Sequence, residues 1–261
     1  MNKVRLAALV LACALPGAAA AEDIRVLSAA ALAPGLVKIA EQYRKETKNR
    51  VRVQYADPAR LERRLGAGES ADVLIATPGV MNDQLRRNKI EPDKHVFIGR
   101  AGIGVAIRMG AVDPNGMTIR TGIPDPDIVS LDRFKQSLLG ADSIVYPLGG
   151  SGLYLETLFE LLGISEQIKA KTTRYANASQ VLEHVLSGKG VEIGLATIPE
   201  IRQFEGKGLK LVGPLPEQIQ FTTSYSAGVM TEAADAEIAR EFIQYLETPP
   251  AKAIFAAAGF D

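Results

Sequence analysis

Hydrophobic residues along this chain come in short bursts of two periods. Ile24-Arg25-Val26-Leu27 reads as a strand, breaks at Ser28-Ala29-Ala30-Ala31, and gives way to helical spacing from Leu32 to Ala40. The same grammar returns at once: strand Val51 to Tyr55, a break at Asp57-Pro58-Ala59, a helix from Arg60, and strand Ala71 to Ala76. Gly79 to Arg87 predicts a short helix and Ile103 to Ile107 a strand. A second series follows, with helix Ser130 to Leu139, strand Ser143 to Tyr146, a Gly149-Gly150-Ser151-Gly152 turn and helix Leu153 to Leu162. It continues through a weak strand Lys171 to Tyr175, helix Ala178 to Leu186, strand Val191 to Ala196 and a helix beyond Pro199. Strands at Leu209 to Val212 and Thr222 to Met230 precede two closing helices, Ala234 to Leu246 and Pro250 to Ala257.

Strands alternating with helices at short spacing predict an α/β protein with mostly parallel, doubly wound sheets. Pro114, Gly116, Gly122, Pro124 and Pro126 interrupt the chain where the two series meet. A late strand with closing helices suits a return to the first unit. The expected organisation is a signal peptide over 1–21, a first lobe of 22–108 plus 222–261, and a second lobe of 109–221, joined by crossing strands. Helices in such folds begin where strands stop, so their unpaired N–H groups converge on one crevice and make an anion site from backbone alone.

Composition narrows the partners. Lys3 and Arg5 precede an apolar run from Leu6 to Leu15, and Ala18 to Ala21 offers a small-residue cleavage site before Glu22. That pattern predicts export to the periplasm, and the apolar run is too short to span a bilayer. Cys13 is the only cysteine; a lipoprotein reading there would leave a very short apolar region. A processed chain therefore has no disulfide, thiolate ligand or cysteine nucleophile. Without Lys3 and Arg5 the chain carries 28 basic against 30 acidic residues, which favours neither nucleic acid nor an anionic membrane.

Four loops are candidates for ligand contact. Ala30 and Ala31 open a helix whose first turn holds Pro34, although the segment reads equally well as a plain tight turn. Asp57 can cap the next helix, and Arg60 can offer paired donors to a carboxylate or simply stand in solvent. Gly150, Ser151 and Gly152 let backbone approach an oxyanion and add a hydroxyl, but the lysine of a phosphate-binding P-loop is missing. Arg174, Asn177, Ser179 and Thr197 stand at strand ends that face the crevice in this architecture. His95 and His184, the only histidines, lack ligand spacing, and no nucleophile elbow is present. The expectation is a monomer with a small anionic ligand, no cofactor, no metal and no assigned catalytic residue.

Several segments resemble a known family: Val26 to Leu32, Leu61 to Ile75 with Gly66-Ala67-Gly68, Gly102 to Arg108, Gly150 to Tyr154, and Phe255 to Phe260. Their order and spacing resemble the periplasmic molybdate-binding-protein-like branch of the type II solute-binding proteins of ABC transporters, across essentially the whole mature chain. The resemblance implies two hinged α/β lobes that close on one oxyanion, with an ABC permease as partner. In molybdate and tungstate binders of that family a serine ends the first Ala-Ala-Ala run, where Ala31 stands here. Serines occupy the second loop, here Asp57-Pro58-Ala59, and a tyrosine follows the fourth strand, here Thr197. With those hydroxyls replaced, and Arg60, Arg100 and Arg174 supplying charge, the expected ligand is a di- or tricarboxylic acid. Some exported proteins that look like this family are enzymes, notably aconitate isomerase, which moves a double bond by a proton shift. On that alternative, Arg60, Arg174, Ser151 and Asn177 hold carboxylates, while His184, Glu183 or Asp57 exchanges the proton.

Overall fold

The computed structural model describes residues 22–110 and 125–261, apart from the side chains of Asp93 and Lys94. The expected signal peptide and most of the expected Pro/Gly-rich junction lie outside the described residues. The first series folds as β1 (Asp23–Ala29), a 3-10 turn (Ala30–Leu32), α1 (Ala33–Thr47), β2 (Arg50–Ala56), α2 (Pro58–Gly66), β3 (Val73–Ala76), α3 (Pro78–Arg86) and β4 (Ile90–Arg108). The second comprises α4 (Leu131–Gly140), β5 (Ser143–Pro147), α5 (Gly150–Leu161), α6 (Ser165–Ile168), β6 (Thr172–Tyr175), α7 (Ala178–Ser187), β7 (Glu192–Thr197), α8 (Ile198–Glu205) and β8 (Leu209–Pro214). β9 (Thr222–Met230), α9 (Ala236–Leu246) and α10 (Pro249–Ala258) complete the chain.

The strands follow the order β2-β1-β3-β9-β4-β7-β5-β6, with β8 also on β4. Within each series the pairs are parallel, β1 with β2 and β3, β5 with β6 and β7. Every pair that involves β4 or β9 is antiparallel. The sheet is thus mixed, because these two strands carry the chain out of one lobe and back. Only Ile103 to Ile107 of β4 reads as a strand from sequence, yet the strand runs over 19 residues. Its register shifts between Ile90 and His95, where Pro92 has no N–H to give a partner.

At its middle β4 changes sheets. Residues up to Gly102 pair with β9, and those from Ile103 pair with β7 and β8. At the changeover the Gln220 carboxamide accepts from the Ile103 N–H and donates to the Ile103 carbonyl, both at 2.9 Å. A side chain there stands in for a strand neighbour and keeps the crossing backbone satisfied. The core divides at the same place. One cluster, centred on Leu36, Ile39, Tyr43, Phe242 and Phe255, includes Ala101 and Tyr225, while the clusters around Phe134 and Phe159 and around Val181 and Phe204 begin at Ile103. The result is two α/β lobes joined by crossing strands.

Local chemistry sets the helix starts that matter below. Asp57 accepts from the Arg60 N–H at 2.8 Å to cap α2, and Asn177 accepts from the Gln180 N–H at 3.0 Å to cap α7. The glycine-rich segment is the first turn of α5 rather than a loop before it. Gly152 is required there, since a Cβ at this position would lie 1.7 Å from the Pro147 carbonyl oxygen. α5 can therefore start directly against the end of β5.

Candidate functional site

A cavity of about 470 Å³ opens where the two lobes face each other, a volume within the usual range for small-molecule sites. Ala29, Ala31, Asp57, Pro58, Arg60 and Thr77 line it from the first lobe. Gly149, Gly150, Ser151, Asn177, Ser179, Thr197 and Glu200 line it from the second, and Phe221, Thr223 and Tyr225 come from the returning segment. Phe221 is held in place by stacking on Tyr154, ring centroids 4.8 Å apart.

Of the residues expected at the site, Ala30, Ala31, Arg60, Gly150, Ser151, Asn177, Ser179 and Thr197 come together on this cavity. Gly152 and Arg174 do not. Gly152 serves the packing of α5 on β5 described above. Arg174 pairs with Glu156 and lines a separate cavity with Tyr146, its neighbour across the β5–β6 register. A single-residue alternation decides which face a strand residue takes, and on so short a strand the sequence leaves that parity open. Arg100 pairs instead with Asp261 at 3.4 Å, both largely exposed. Arg60 is thus the one arginine among the described residues that lines the cavity.

The helix starts differ in what they offer. α5 has glycine at its N-cap and no side-chain cap, so the Gly150 and Ser151 N–H groups are free for an anion by helix geometry. α7 is capped by a neutral amide whose Oδ1 faces Gln180 N–H, which leaves the Ala178 and Ser179 N–H groups and the Asn177 Nδ2 as donors. α2 offers less: Pro58 has no N–H, and Asp57 brings a negative charge.

The proton-exchange candidates are also redistributed. Both ring nitrogens of His184 are engaged, Nδ1 with the Tyr175 hydroxyl at 2.8 Å and Nε2 with the Ser143 hydroxyl at 3.1 Å, and His184 does not line the cavity. Glu183 is exposed away from it. Asp57 reaches the cavity but caps α2. Glu200, not among the expected site residues, sits on the wall instead. Thr197 Oγ1 donates to its Oε2 at 2.6 Å. Burial pushes the Glu200 carboxyl above the usual carboxylate range, and hydrogen bonds from the Thr197 side chain and backbone offset only part of that. Burial likewise pushes the Tyr225 hydroxyl well up, with the Glu200 charge adding to it. The signal that could have found Glu200 is the Thr197-Ile198-Pro199-Glu200 spacing of a capping box directly after an apolar strand. Among the described residues, no group of three or more His, Cys, Asp or Glu side chains is placed to hold a metal ion.

A family model for bacterial extracellular solute-binding proteins matches residues 24–261. The chain belongs to that family. This solute-binding protein is 30% identical to an aconitate isomerase from a Pseudomonas species, over 87% of this chain and 83% of that protein. It is 23% identical to the molybdate-binding protein ModA of Azotobacter vinelandii, over 98% and 95% of the two chains. Its fold matches the solved periplasmic molybdate-binding protein of Azotobacter vinelandii with a TM-score of 0.71 at 18% identity, covering 91% of this chain and 98% of that one. In architecture it is a molybdate-binding-protein-like periplasmic binding protein. No helix among the described residues is long and apolar enough to cross a membrane.

Proposed function

We propose that this solute-binding protein takes a di- or tricarboxylic acid into the crevice, acting as a periplasmic monomer after loss of residues 1–21 and delivering the acid to an ABC permease. One observation carries this reading: Arg60 shares the cavity with the uncapped N-terminus of α5 and the first-turn N–H groups of α7. A planar carboxylate matches a guanidinium fork, and a second carboxylate matches a pair of converging N–H groups. A tetrahedral oxyanion needs donors all round. On the first wall Ala31 and Pro58 have no hydroxyl and Thr77 alone supplies one, and each oxyanion oxygen left unpaired costs about 1–3 kcal/mol. Titration calorimetry with tricarballylate, citrate, cis- and trans-aconitate, molybdate and sulfate tests the proposal. Micromolar binding of a tricarboxylate without molybdate binding is the expected result; submicromolar molybdate affinity overturns it.

A second reading is favoured by Glu200 and by the likeness to an aconitate isomerase. An ionisable carboxyl inside a carboxylate-binding crevice opposes simple anion capture but suits a cofactor-free double-bond shift in the same acid. Incubating the purified protein with cis- or trans-aconitate and following both isomers by NMR separates the two. Turnover decides for the enzyme, and saturable binding without turnover for the transport component.

A further inference from the structure

Glu200 is anomalous for an anion-binding wall. It is a carboxyl in the crevice, its hydrogen bonds come from Thr197, and no Lys, Arg or His pairs with it among the described residues. The groups that share its surroundings are Tyr225 from β9 and, across the cavity, Asp57 and Arg60 from α2. On three of the elements packed against α8, an ionisable group is engaged elsewhere. His184 of α7 bonds Ser143 and Tyr175, Glu192 of β7 accepts from the Gly190 N–H at 2.7 Å, and Lys210 of β8 pairs with Asp125. A capping-box glutamate ordinarily hydrogen-bonds in solvent at a helix end. This one is half-buried on the cavity wall, and burial raises its carboxyl above the usual carboxylate range.

We propose that Glu200 is the group that exchanges a proton with the bound acid, at a methylene carbon next to the C=C–carboxylate unit of an unsaturated tricarboxylate. The inference rests on the organic-acid reading of the crevice. In the forward step the methylene C–H bond breaks and an O–H bond forms on the Glu200 carboxylate. The electron pair spreads over the three-carbon allylic unit into the conjugated carboxylate, which the N–H groups of α5 and α7 stabilise. Return of the proton to the far carbon breaks the Glu200 O–H bond and leaves the double bond shifted by one position. Nothing is oxidised or reduced, and no co-reactant is needed. Thr197 acts as a positioning residue that holds one carboxyl oxygen.

The test is deuterium exchange. Wild-type protein is incubated in D2O with saturating cis-aconitate, and the methylene signal is followed by NMR, beside calorimetric titration with tricarballylate, which lacks the double bond. Wild type is expected to wash deuterium into the methylene group. E200Q is expected to slow that exchange about 10²- to 10⁴-fold at saturation, the usual weight of a general acid–base. E200D should recover part of the rate, which a purely structural role for Glu200 would not produce, and T197V should shift the pH profile of exchange. Melting curves of all three variants report folding. Full exchange by folded E200Q overturns the inference, as does wild type that binds tricarballylate but exchanges no deuterium. Absence of tricarballylate binding by wild type overturns the organic-acid reading itself, and this inference with it.

Discussion

The two walls of the crevice are built by the same strand–turn–helix grammar and end up with opposite chemistry. On the first wall, α2 begins with a proline that has no N–H and an aspartate that both caps the helix and carries negative charge. On the second, α5 begins on glycines without a side-chain cap, and α7 is capped by the neutral Asn177. A helix N-terminus attracts anions only as far as its N–H groups stay free and its cap stays uncharged. The first wall therefore draws its positive charge from one side chain, Arg60, beside the uncapped turn at Ala30 and Ala31, whereas the second uses backbone placed by packing. Charge comes from one side and direction from the other.

The largest expected effect attacks that packing. Gly152→Ala places a methyl 1.7 Å from the Pro147 carbonyl oxygen, a backbone atom that cannot swing aside, so α5 must move off β5 and take the Gly150 and Ser151 N–H groups with it. A loss of about 3 kcal/mol in stability follows from overpacking of this kind, or roughly 6–12 °C in melting temperature for a chain of this size. Ligand affinity falls more than tenfold on the scale of a lost charge-assisted hydrogen bond. Gly150→Ala is the control, because nothing lies within 4 Å of the added methyl; its melting temperature should stay near wild type. Next in size, Arg60→Ala should weaken carboxylate binding about 10- to 100-fold, the cost of about 1.5–3 kcal/mol for hydrogen bonds to a charged group. Arg174→Ala, on the far side of β6, should leave the dissociation constant within about twofold, as expected of a partly exposed ion pair outside the site. Equal losses in calorimetry from both arginines would erase the asymmetry between the walls.

What could be read from the chain before folding tracks how local each feature is. The succession of strands and helices and the cap at Asp57 depend on neighbours a few residues away, and they stand where periodicity and residue type put them; the glycines fall in the first turn of α5 instead of a turn before it. The length of β4 does not. Its first half contains Pro92 and pairs with β9, a strand more than a hundred residues later, so its strand character is a tertiary effect. Arg174 departs from the expected face for a similar reason: β6 has four residues, and its facing is set by register against β5. Glu200 escaped because a charged residue at the third position of a helix looks like an ordinary surface cap. Only the facing of the two lobes leaves it half-buried on the cavity wall.

A pair of exchanges sharpens the comparison at intermediate size. Asp57→Asn keeps a competent cap on α2 but removes the negative charge from the first wall; Asn177→Asp keeps the cap on α7 but adds a negative charge to the second. Asp57→Asn should tighten binding of a tricarboxylate by roughly two- to fivefold, in line with charge effects of about 0.3–1 kcal/mol at helix N-termini. Asn177→Asp should weaken it by more than that factor, since the Nδ2 donor is lost as well. Both effects should shrink at high salt, because exposed charges are screened. Calorimetry at two salt concentrations checks the pair, and a change of the same sign in both variants would show that the caps do not tune the walls.

The smallest effect reads the second wall without any ligand, through the pH dependence of stability. Burial raises the Glu200 carboxyl above its unfolded value, so the native chain binds more protons than the unfolded one across the window between the two. Glu200 therefore contributes less to stability as pH rises from about 4.3, the ordinary glutamate value, through its higher folded value. Gln cannot ionise, so the melting temperature of E200Q relative to wild type should rise with pH over that window and then level off. Asp72 supplies the opposite sign. Burial raises its carboxyl, but the Arg25 side chain together with the Arg25 and Ala234 backbone N–H groups outweighs that and holds it low. Its stabilisation is present above about 3.9, the ordinary aspartate value, and is lost as pH falls through the lower folded value. Asp72→Asn should accordingly melt below wild type at neutral pH, with the gap closing in acid. If the E200Q difference stays flat instead, Glu200 is solvated like any surface cap, and the second wall attracts anions through its backbone alone.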